Sequence, residues 1–370
     1  MDLSTVRTVD NGAVRVAVDA MGGDHAPLEV VAGTLAWARK HPGDTVLLVG
    51  IPERIEECAG GPLPANVEIV PASQVVEMDD SGALALKAKR DSSIMVGMDL
   101  LKQGRAGALV TAGHSGAGMA AAVLKLGRLP GVDRPALAIQ MLTESGPFVL
   151  LDIGANMDSS GENLYQFARM GALYAERVLG VERPRVALVS IGEEKGKGDA
   201  AIQKATELLD EDGGLNFVGN VEGRDLVKHM ADVAVCDAVV GNVVMKFFEG
   251  LATFIFGLWE KEFRRGPRGM FAYLLLRPGV NRIRRTFDYE KLGASPLLGV
   301  KGTVLITHGS AKRRMIEFAV DSGAAAARAR IHEAIGDAFR AAPNTNKPAR
   351  SNAPEAHAAE TGAPAVEARP

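Results

Sequence analysis

The sequence predicts a layered α/β fold in which helices cover both faces of a largely parallel sheet. Short runs rich in β-branched residues alternate with helical segments from position 14 to about position 306. Most of these runs are continuously apolar rather than alternating, which is typical of strands covered on both faces. The predicted strands are residues 14–19, 45–49, 67–70, 108–111, 136–142, 148–153, 186–191, 216–218, 233–239 and 304–307.

The composition limits the class of protein. The chain has 370 residues, enough for one large or two ordinary domains with a sizeable core. Its 42 basic and 45 acidic side chains are nearly balanced, which argues against a generally nucleic-acid-seeking protein. Two cysteines, Cys58 and Cys236, form neither a disulfide framework nor a metal cluster, so a reducing cytosol is expected.

The two ends of the chain differ in character from its centre. Residues 1–13 lack the basic and apolar regions of a signal peptide and are interpreted as a variable N-terminus. Residues 14–341 are predicted to form one catalytic α/β domain. Residues 342–370 contain Ala, Pro, Asn and charge without periodicity and are predicted to be a disordered tail. No uninterrupted apolar run approaches about 18 residues, so no membrane span is expected.

The stretch 16–27, VAVDAMGGDHAP, carries the first candidate site. An apolar strand is followed by a glycine turn and by Pro27, which suits the first turn of a helix over residues 28–40. Such a turn brings free backbone N–H groups to a place where an anion could bind. A purely structural turn would explain the glycines but would not need the carboxylates and the imidazole beside them. The candidate binding residues are Asp19, Gly22, Gly23, Asp24 and His25.

A second glycine-rich turn follows the predicted strand 108–111. It reads Gly113-His114-Ser115-Gly116, and the next residue is Ala117. A serine nucleophile elbow needs G-x-S-x-G, so this turn is not one. It suits an oxyanion or phosphate cradle, and a plain strand-to-helix turn explains it equally well.

A third turn delivers polar groups to the end of the strand 148–153. Asp152, Gly154 and Asn156 lie there, before a helix predicted over residues 162–179. Helix capping by residues 158–160 explains the later polar side chains but not Asp152 or the turn itself.

Three further candidates follow apolar strands. Lys197 lies in the loop 191–199, IGEEKGKGD, where a lysine among glycines is either an ordinary surface residue or a counter-charge for phosphate. Asn242 lies in a turn predicted over residues 240–243, where it either caps the next helix or donates an amide hydrogen bond to an oxyanion. His308 follows the last predicted strand, before a terminal helix that reaches about residue 341.

Residues 245–285 are predicted to be a basic, apolar and amphipathic segment. Its first half has helical spacing of bulky apolar residues, which favours docking on the core or on another subunit. Residues 261–285 interleave Arg and Lys with apolar residues, which suits an anionic membrane surface or an acidic protein partner.

Seven of these stretches, taken in order, resemble the PlsX-type phosphate acyltransferase family of bacterial phospholipid synthesis. They are VAVDAMGGDHAP, VTAGHSGAGMA, LLDIGAN, IGEEKGKG, NFVGNVEGRD, VGNV and LITHGS. The resemblance covers about residues 14–323. It implies a fold similar to those of isocitrate and isopropylmalate dehydrogenases and of phosphotransacetylase.

The resemblance also implies a function and partners. The reaction would convert acyl-[acyl carrier protein] and inorganic phosphate to acyl phosphate and free carrier protein. A cytoplasmic homodimer would bind peripherally to the inner face of the cell membrane and deliver its product to a membrane glycerol-phosphate acyltransferase. Lys197 and Asn242 match the residues expected to be catalytic. The substrate pocket would be lined by Asp19, Gly22, Gly23, Asp24, His25, Gly113, His114, Ser115, Gly116, Asp152, Gly154, Asn156 and His308.

A mechanism follows from these assignments. Phosphate is already an anion at neutral pH and needs positioning more than deprotonation. Lys197 would hold it, Asn242 would stabilise the carbonyl oxygen as an oxyanion, and the thiolate would leave without an acyl-enzyme. We expect no cofactor, nucleic acid or metal, although Asp19, Asp24 and Asp152 could gather in space. The alternatives are a phosphotransacetylase, a metal-dependent decarboxylating dehydrogenase and a non-catalytic membrane-surface scaffold.

Overall fold

A single mixed sheet of eleven strands forms the centre of the computed structural model, which describes residues 12–80, 82–143, 145–286 and 288–341. Most of the predicted N-terminus and the predicted tail 342–370 therefore lie outside the described residues. The strands are β1 (Arg15–Asp19), β2 (Thr45–Gly50), β3 (Val67–Pro71), β4 (Ala108–Thr111), β5 (Ala136–Thr143), β6 (Gly146–Leu151), β7 (Arg185–Val189), β8 (Asn216–Val221), β9 (Val233–Val235), β10 (Ser295–Leu298) and β11 (Thr303–Ile306).

Helices connect these strands and cover the sheet. They are α1 (Leu28–Lys40), α2 (Pro52–Ala59), α3 (Gly82–Ala88), α4 (Ser93–Lys102), α5 (Ser115–Lys125), α6 (Gly161–Arg177), α7 (Ala200–Glu211), α8 (Ala238–Phe263), α9 (Gly266–Thr286), α10 (Arg313–Arg328) and α11 (Ile331–Ala341). Short 3₁₀ turns lie at Leu226–Lys228 and Tyr289–Leu292.

The sheet consists of two parallel blocks that run in opposite directions. Its strand order is β3-β2-β1-β4-β11-β10-β5-β6-β9-β7-β8. Strands β3, β2, β1, β4 and β11 are mutually parallel, as are β6, β9, β7 and β8. The antiparallel pairings of β10 and β5 reverse the direction between the blocks. The predicted largely parallel sheet is confirmed, but the strand ends of the two blocks do not share one edge.

Two apolar cores lie on opposite faces of the sheet. Val16 and Val18 of β1 point to one core and Ala17 to the other, as the alternation of a strand requires. Helices α1, α6 and α10 cover the first face, and α4 and α5 cover the second. The three-layer α/β architecture predicted from the continuously apolar runs is confirmed.

The predicted strand 233–239 is too long. Strand β9 ends at Val235, and α8 begins at Ala238 because the Asp237 carboxylate accepts hydrogen bonds from the N–H groups of Val239 and Val240. The supposed turn around Asn242 is therefore helical, and Asn242 does not cap the helix. This capping bond overrides the β-branched composition that had predicted a longer strand.

Other predicted boundaries differ less. Helix α1 matches the predicted range 28–40, and α6 begins at Gly161 with Ser160 as its capping residue. Strand β10 was missed because it has four residues, one of them Pro296. The predicted terminal helix is two helices, separated where Arg330 adopts a positive φ of 48°.

Helix α8 is the one described helix that is long and apolar enough to cross a membrane. It has 26 residues, and an 18-residue stretch within it has a mean hydropathy of 1.5 and is 6% buried. Helix α8 therefore meets a criterion of length and mean hydropathy without containing an uninterrupted apolar run of this length, and the expectation that nothing spans a membrane stays a prediction. The search for an uninterrupted apolar run did not find α8, because Lys246 and Glu249 interrupt its apolar residues. Length and composition alone are weak grounds for a membrane span.

Candidate functional site

The turns that follow β1, β4 and β11 pack directly against one another. A Cβ atom on Gly22 would lie 2.7 Å from the backbone nitrogen of Gly113, so only glycine allows this approach. The N–H group of Asp24 donates to the carbonyl oxygen of Gly309 at 2.8 Å. Three of the glycine-rich motifs identified in the sequence thus form one unit at the end of the first block.

Asp19 is buried beneath this unit. Its carboxylate accepts hydrogen bonds from the Thr111 hydroxyl at 2.8 Å and from the Met21 N–H group at 3.2 Å. Burial raises the pKa of Asp19, and these hydrogen bonds offset part of the shift. Asp19 therefore joins two turns, and its side chain does not line the cleft described below.

Asp152 and Asn156 form a second buried network, at the end of β6. Asp152 is fully buried, and the Asn156 amide donates to its carboxylate at 2.7 Å and to the Pro135 carbonyl at 2.8 Å. Burial raises the pKa of Asp152. Its carboxylate also accepts from the backbone N–H groups of Leu137, Gly154, Ala155 and Asn156. These two side chains shape the turn and do not reach the cleft described below.

The first turn of α8 is pressed against this network. A Cβ atom on Gly241 would lie 1.9 Å from the Asp152 carbonyl oxygen and 3.1 Å from the sulfur of Cys236. The Cys236 thiol is buried, and burial raises its pKa well above the usual value. Because Gly241 has no side chain, α8 packs closely against the Asp152 backbone. This packing positions the next residue, Asn242, relative to β6.

An open cleft of about 400 Å³ lies between the interlocked turns and α8. Part of its wall is apolar and comes from β5 and from Leu292. Five residues predicted from the sequence line it together, although they come from both blocks of the sheet: Asp24, Ser115, Gly154, Asn242 and His308. The other predicted residues do not line this cleft.

Lys246 and Glu249 also line the cleft and were missed by the sequence analysis. The Lys246 ammonium group lies 3.1 Å from the Glu249 carboxylate and 3.2 Å from Nε2 of His308. Nδ1 of the same imidazole lies 2.8 Å from the Ser310 hydroxyl oxygen and 3.3 Å from the Ser310 backbone nitrogen. Lys246 lies one helical turn after Asn242, so a correct start for α8 would have revealed it.

Lys197 does not line this cleft. Its loop follows β7, where the Gln203 amide donates to the carbonyl oxygens of Gly196 and Gly198. Its neighbour Lys195 is paired with Asp210 at 3.0 Å. The Lys197 side chain is exposed, and no ion pair or hydrogen bond joins it to the described part of the chain. The Lys197 ammonium group is therefore accessible to an anionic ligand, on a loop that the hydrogen bonds of Gln203 hold in place.

The remaining predicted residues lie in the glycine-rich turns and at the start of α5. Nδ1 of His114 accepts from the Ala117 N–H group and so caps α5, while Ser115 opens that helix and is exposed. No hydrogen bond joins the Ser115 hydroxyl to an imidazole within the described ranges, as a serine nucleophile would require. Gly23 adopts a positive φ of 109° in its turn, Gly116 lies in the first turn of α5, and His25 is exposed outside the cleft.

The described residues contain no group of three or more His, Cys, Asp or Glu side chains that could hold a metal ion. Of the three carboxylates considered for such a site, Asp24 lines the cleft. Asp19 and Asp152 belong to separate buried networks, so the suggested gathering does not occur.

Comparison with known proteins gives consistent matches over most of the chain. Residues 14–333 match the family described as "Fatty acid synthesis protein". A phosphate acyltransferase of Desulfitobacterium hafniense is 47% identical over 83% of this chain and 92% of its own length. One from Brevibacillus brevis is 42% identical over 87% of this chain and 96% of its own length.

Solved structures show a likeness of fold. The EutD phosphotransacetylase of Staphylococcus aureus has a TM-score of 0.57 at 16% identity and covers 88% of this chain and 98% of its own. A phosphotransacetylase of Streptococcus pyogenes has the same TM-score and identity and covers 86% and 95%. The expected likeness to the phosphotransacetylase fold is confirmed.

Proposed function

This chain belongs to the phosphate acyltransferase family, and we propose that it transfers the acyl group of an acyl-[acyl carrier protein] to inorganic phosphate. The products are acyl phosphate and free carrier protein, and the acyl phosphate feeds phospholipid synthesis. The observation that carries the proposal is the cleft, where an amide, a cation and a helix N-terminus face an apolar wall.

Phosphate binding is assigned to the polar side of the cleft. The N-terminus of α5 at Ser115 presents backbone N–H groups, and helix N-termini favour anions. Lys246 supplies a positive charge close by and is held by its contacts with Glu249 and His308. These groups position a phosphate oxygen for attack on the thioester. Because phosphate is already an anion at neutral pH, no strong general base is required.

The acyl transfer itself needs stabilisation of a developing oxyanion. The phosphate oxygen bonds to the thioester carbonyl carbon, the carbonyl oxygen gains negative charge, and the carbon–sulfur bond then breaks. The thiolate leaves with the electron pair of that bond. The Asn242 amide, exposed in the cleft on α8, donates a hydrogen bond to the carbonyl oxygen.

Lys197 is proposed as a second phosphate-binding cation, on the basis of the family motif. It lies outside the cleft lining, on an exposed loop after β7. Strand β7 neighbours β9, whose chain leads directly into α8 and Asn242. The contributions of Lys197 and Lys246 to phosphate binding can therefore be tested by separate substitutions.

The outer surface of α8 and α9 is proposed to serve assembly and membrane contact. Along α8, exposed apolar side chains recur at helical spacing: Phe247, Phe254 and Leu258 are 49–69% exposed. A second copy of the chain would cover this face in a homodimer. Helix α9 adds exposed apolar and basic side chains, which suit peripheral contact with an anionic membrane on the cytoplasmic side. A membrane glycerol-phosphate acyltransferase would receive the product there.

The decisive assay measures free carrier-protein thiol released from palmitoyl-[acyl carrier protein], with and without inorganic phosphate. Wild type should release thiol only when phosphate is present. Lys246→Ala and Lys197→Ala should each lower the rate, and a phosphate-binding cation should also raise the KM for phosphate. Lys195→Ala is a matched control, because that lysine is already paired on the surface.

The alternatives predict other outcomes. Release without phosphate would indicate a thioesterase and contradict the proposal. Activity with palmitoyl-CoA but not with the carrier-linked substrate would favour a phosphotransacetylase, whose fold the chain shares. No release with either thioester from folded protein would favour a binding scaffold.

A further inference from the structure

One face of α8 connects Asn242 with a second cavity. Asn242, Met245, Glu249, Ala252 and Phe256 follow one another at intervals of three and four residues, so they lie on one stripe of the helix. Met245 and Glu249 line the cleft of the candidate site and the second cavity as well. The polar group proposed for the reaction therefore lies at one end of a continuous helical stripe.

The second cavity is an apolar groove of about 400 Å³. Its opposite wall is formed by Ile139 and Met141, which alternate on β5 and so point to the same side. Ile139 and Leu292 line both cavities, as do the two α8 residues. The cleft and the groove are thus parts of one elongated depression.

Most of the charged groups around this groove form ion pairs. Arg314 forms ion pairs with Asp288 and Glu290, and Glu249 pairs with the lysine of the cleft. The guanidinium carbon of Arg284 lies 5.7 Å from the centroid of an aromatic ring of α8. Apart from Arg284, which is exposed to solvent, the groove therefore offers apolar surface and paired charges, which favours an uncharged chain over an anionic ligand.

The length of the α8 stripe from Asn242 to Phe256 indicates how long a bound alkyl chain could be. At about 1.5 Å per residue, the axis from Asn242 to Phe256 measures roughly 21 Å. An extended alkyl chain, with carbon–carbon bonds of about 1.5 Å, advances roughly 1.3 Å per carbon. A chain of about 16 carbons would span this distance.

We propose that this groove along α8 binds the alkyl chain of the acyl substrate, with the thioester at Asn242 and the methyl end near Phe256. This inference rests on the proposed function. The apolar groove would then select chain length, while the cleft carries out the transfer.

The test fills the groove with a larger side chain. Ala252→Phe narrows its middle, and Phe256→Ala extends its far end. Ala65→Phe is the matched control, because Ala65 is exposed in the loop before the edge strand β3 and lines neither cavity. Rates of phosphate-dependent thiol release are measured with octanoyl-, palmitoyl- and stearoyl-[acyl carrier protein], together with melting temperature and oligomeric state.

Ala252→Phe should lower the palmitoyl-to-octanoyl rate ratio at least about tenfold, and Ala65→Phe should leave it unchanged. Phe256→Ala should raise the stearoyl-to-palmitoyl ratio, which tests the groove even if the larger side chain prevents folding. Equal losses for all chains, or a change of oligomeric state without a change in these ratios, would overturn the proposal. A wild type inactive with every donor would instead refute the proposed function.

Discussion

Gly241→Ala should displace the start of α8 and test whether the Asp152 turn positions Asn242. The added methyl group would lie 1.9 Å from the Asp152 carbonyl oxygen, whereas ordinary contact begins near 3.4 Å. The helix must therefore move by about 1.5 Å, or the turn must yield. Overpacking of this kind typically costs about 1–3 kcal/mol of the free energy of unfolding.

The catalytic effect should exceed the loss of stability. A displacement of about 1 Å at a catalytic group can cost about 100-fold in rate, so kcat should fall by about that factor in protein that remains folded. Gly250→Ala is the control within the same helix, since no atom lies within 4 Å of its added methyl group. Alanine there should raise stability by about 0.5–1 kcal/mol and leave kcat unchanged.

The assay compares thermal unfolding and phosphate-dependent thiol release for both variants at one protein concentration, because assembly would make stability depend on concentration. If Gly241→Ala were as stable and as active as Gly250→Ala, the packing of α8 on Asp152 would not position Asn242.

Two further predictions follow from particular contacts. Asn242→Ala should lower kcat about 10²–10³-fold, the usual effect of losing one oxyanion donor, and an unchanged kcat would exclude that role. Glu29 accepts hydrogen bonds from the backbone and the guanidinium group of Arg313, which lower its pKa from 4.5 to about 2. Glu29→Gln should cost about 1 kcal/mol of unfolding free energy at pH 7, since solvent screens the exposed Arg313. The ion pair stabilises the fold above pH 4.5, and this stabilisation is lost as the pH falls through about 2. The difference in unfolding free energy between wild type and Glu29→Gln, measured by urea unfolding, should therefore narrow between these pH values. A difference that stays constant would contradict this prediction.

The sequence predicted the sheet well because its strands are continuously apolar and are separated by glycine turns. It failed at β9 and α8, where Val239, Val240 and Val243 favour a strand by composition. The Asp237 carboxylate, which caps the helix, decides the outcome there. The error had a consequence for the site, because Lys246 becomes a neighbour of Asn242 only when both are placed on a helix.

Burial also separated residues that look alike in sequence. Asp19, Asp24 and Asp152 all lie at or after the end of a strand, yet of these three only Asp24 lines the cleft. The other two accept hydrogen bonds from N–H and hydroxyl groups brought together by tertiary packing. The reversal of direction between the two sheet blocks, produced by β10 and β5, was likewise not visible in the local pattern.

The most direct test of the central claim follows labelled inorganic phosphate during turnover of palmitoyl-[acyl carrier protein] by the wild-type protein. Formation of palmitoyl phosphate is measured together with the release of carrier-protein thiol. We predict one labelled acyl phosphate for each thiol released, and no thiol release when phosphate is omitted. Thiol release with free palmitate and without labelled acyl phosphate would contradict the account.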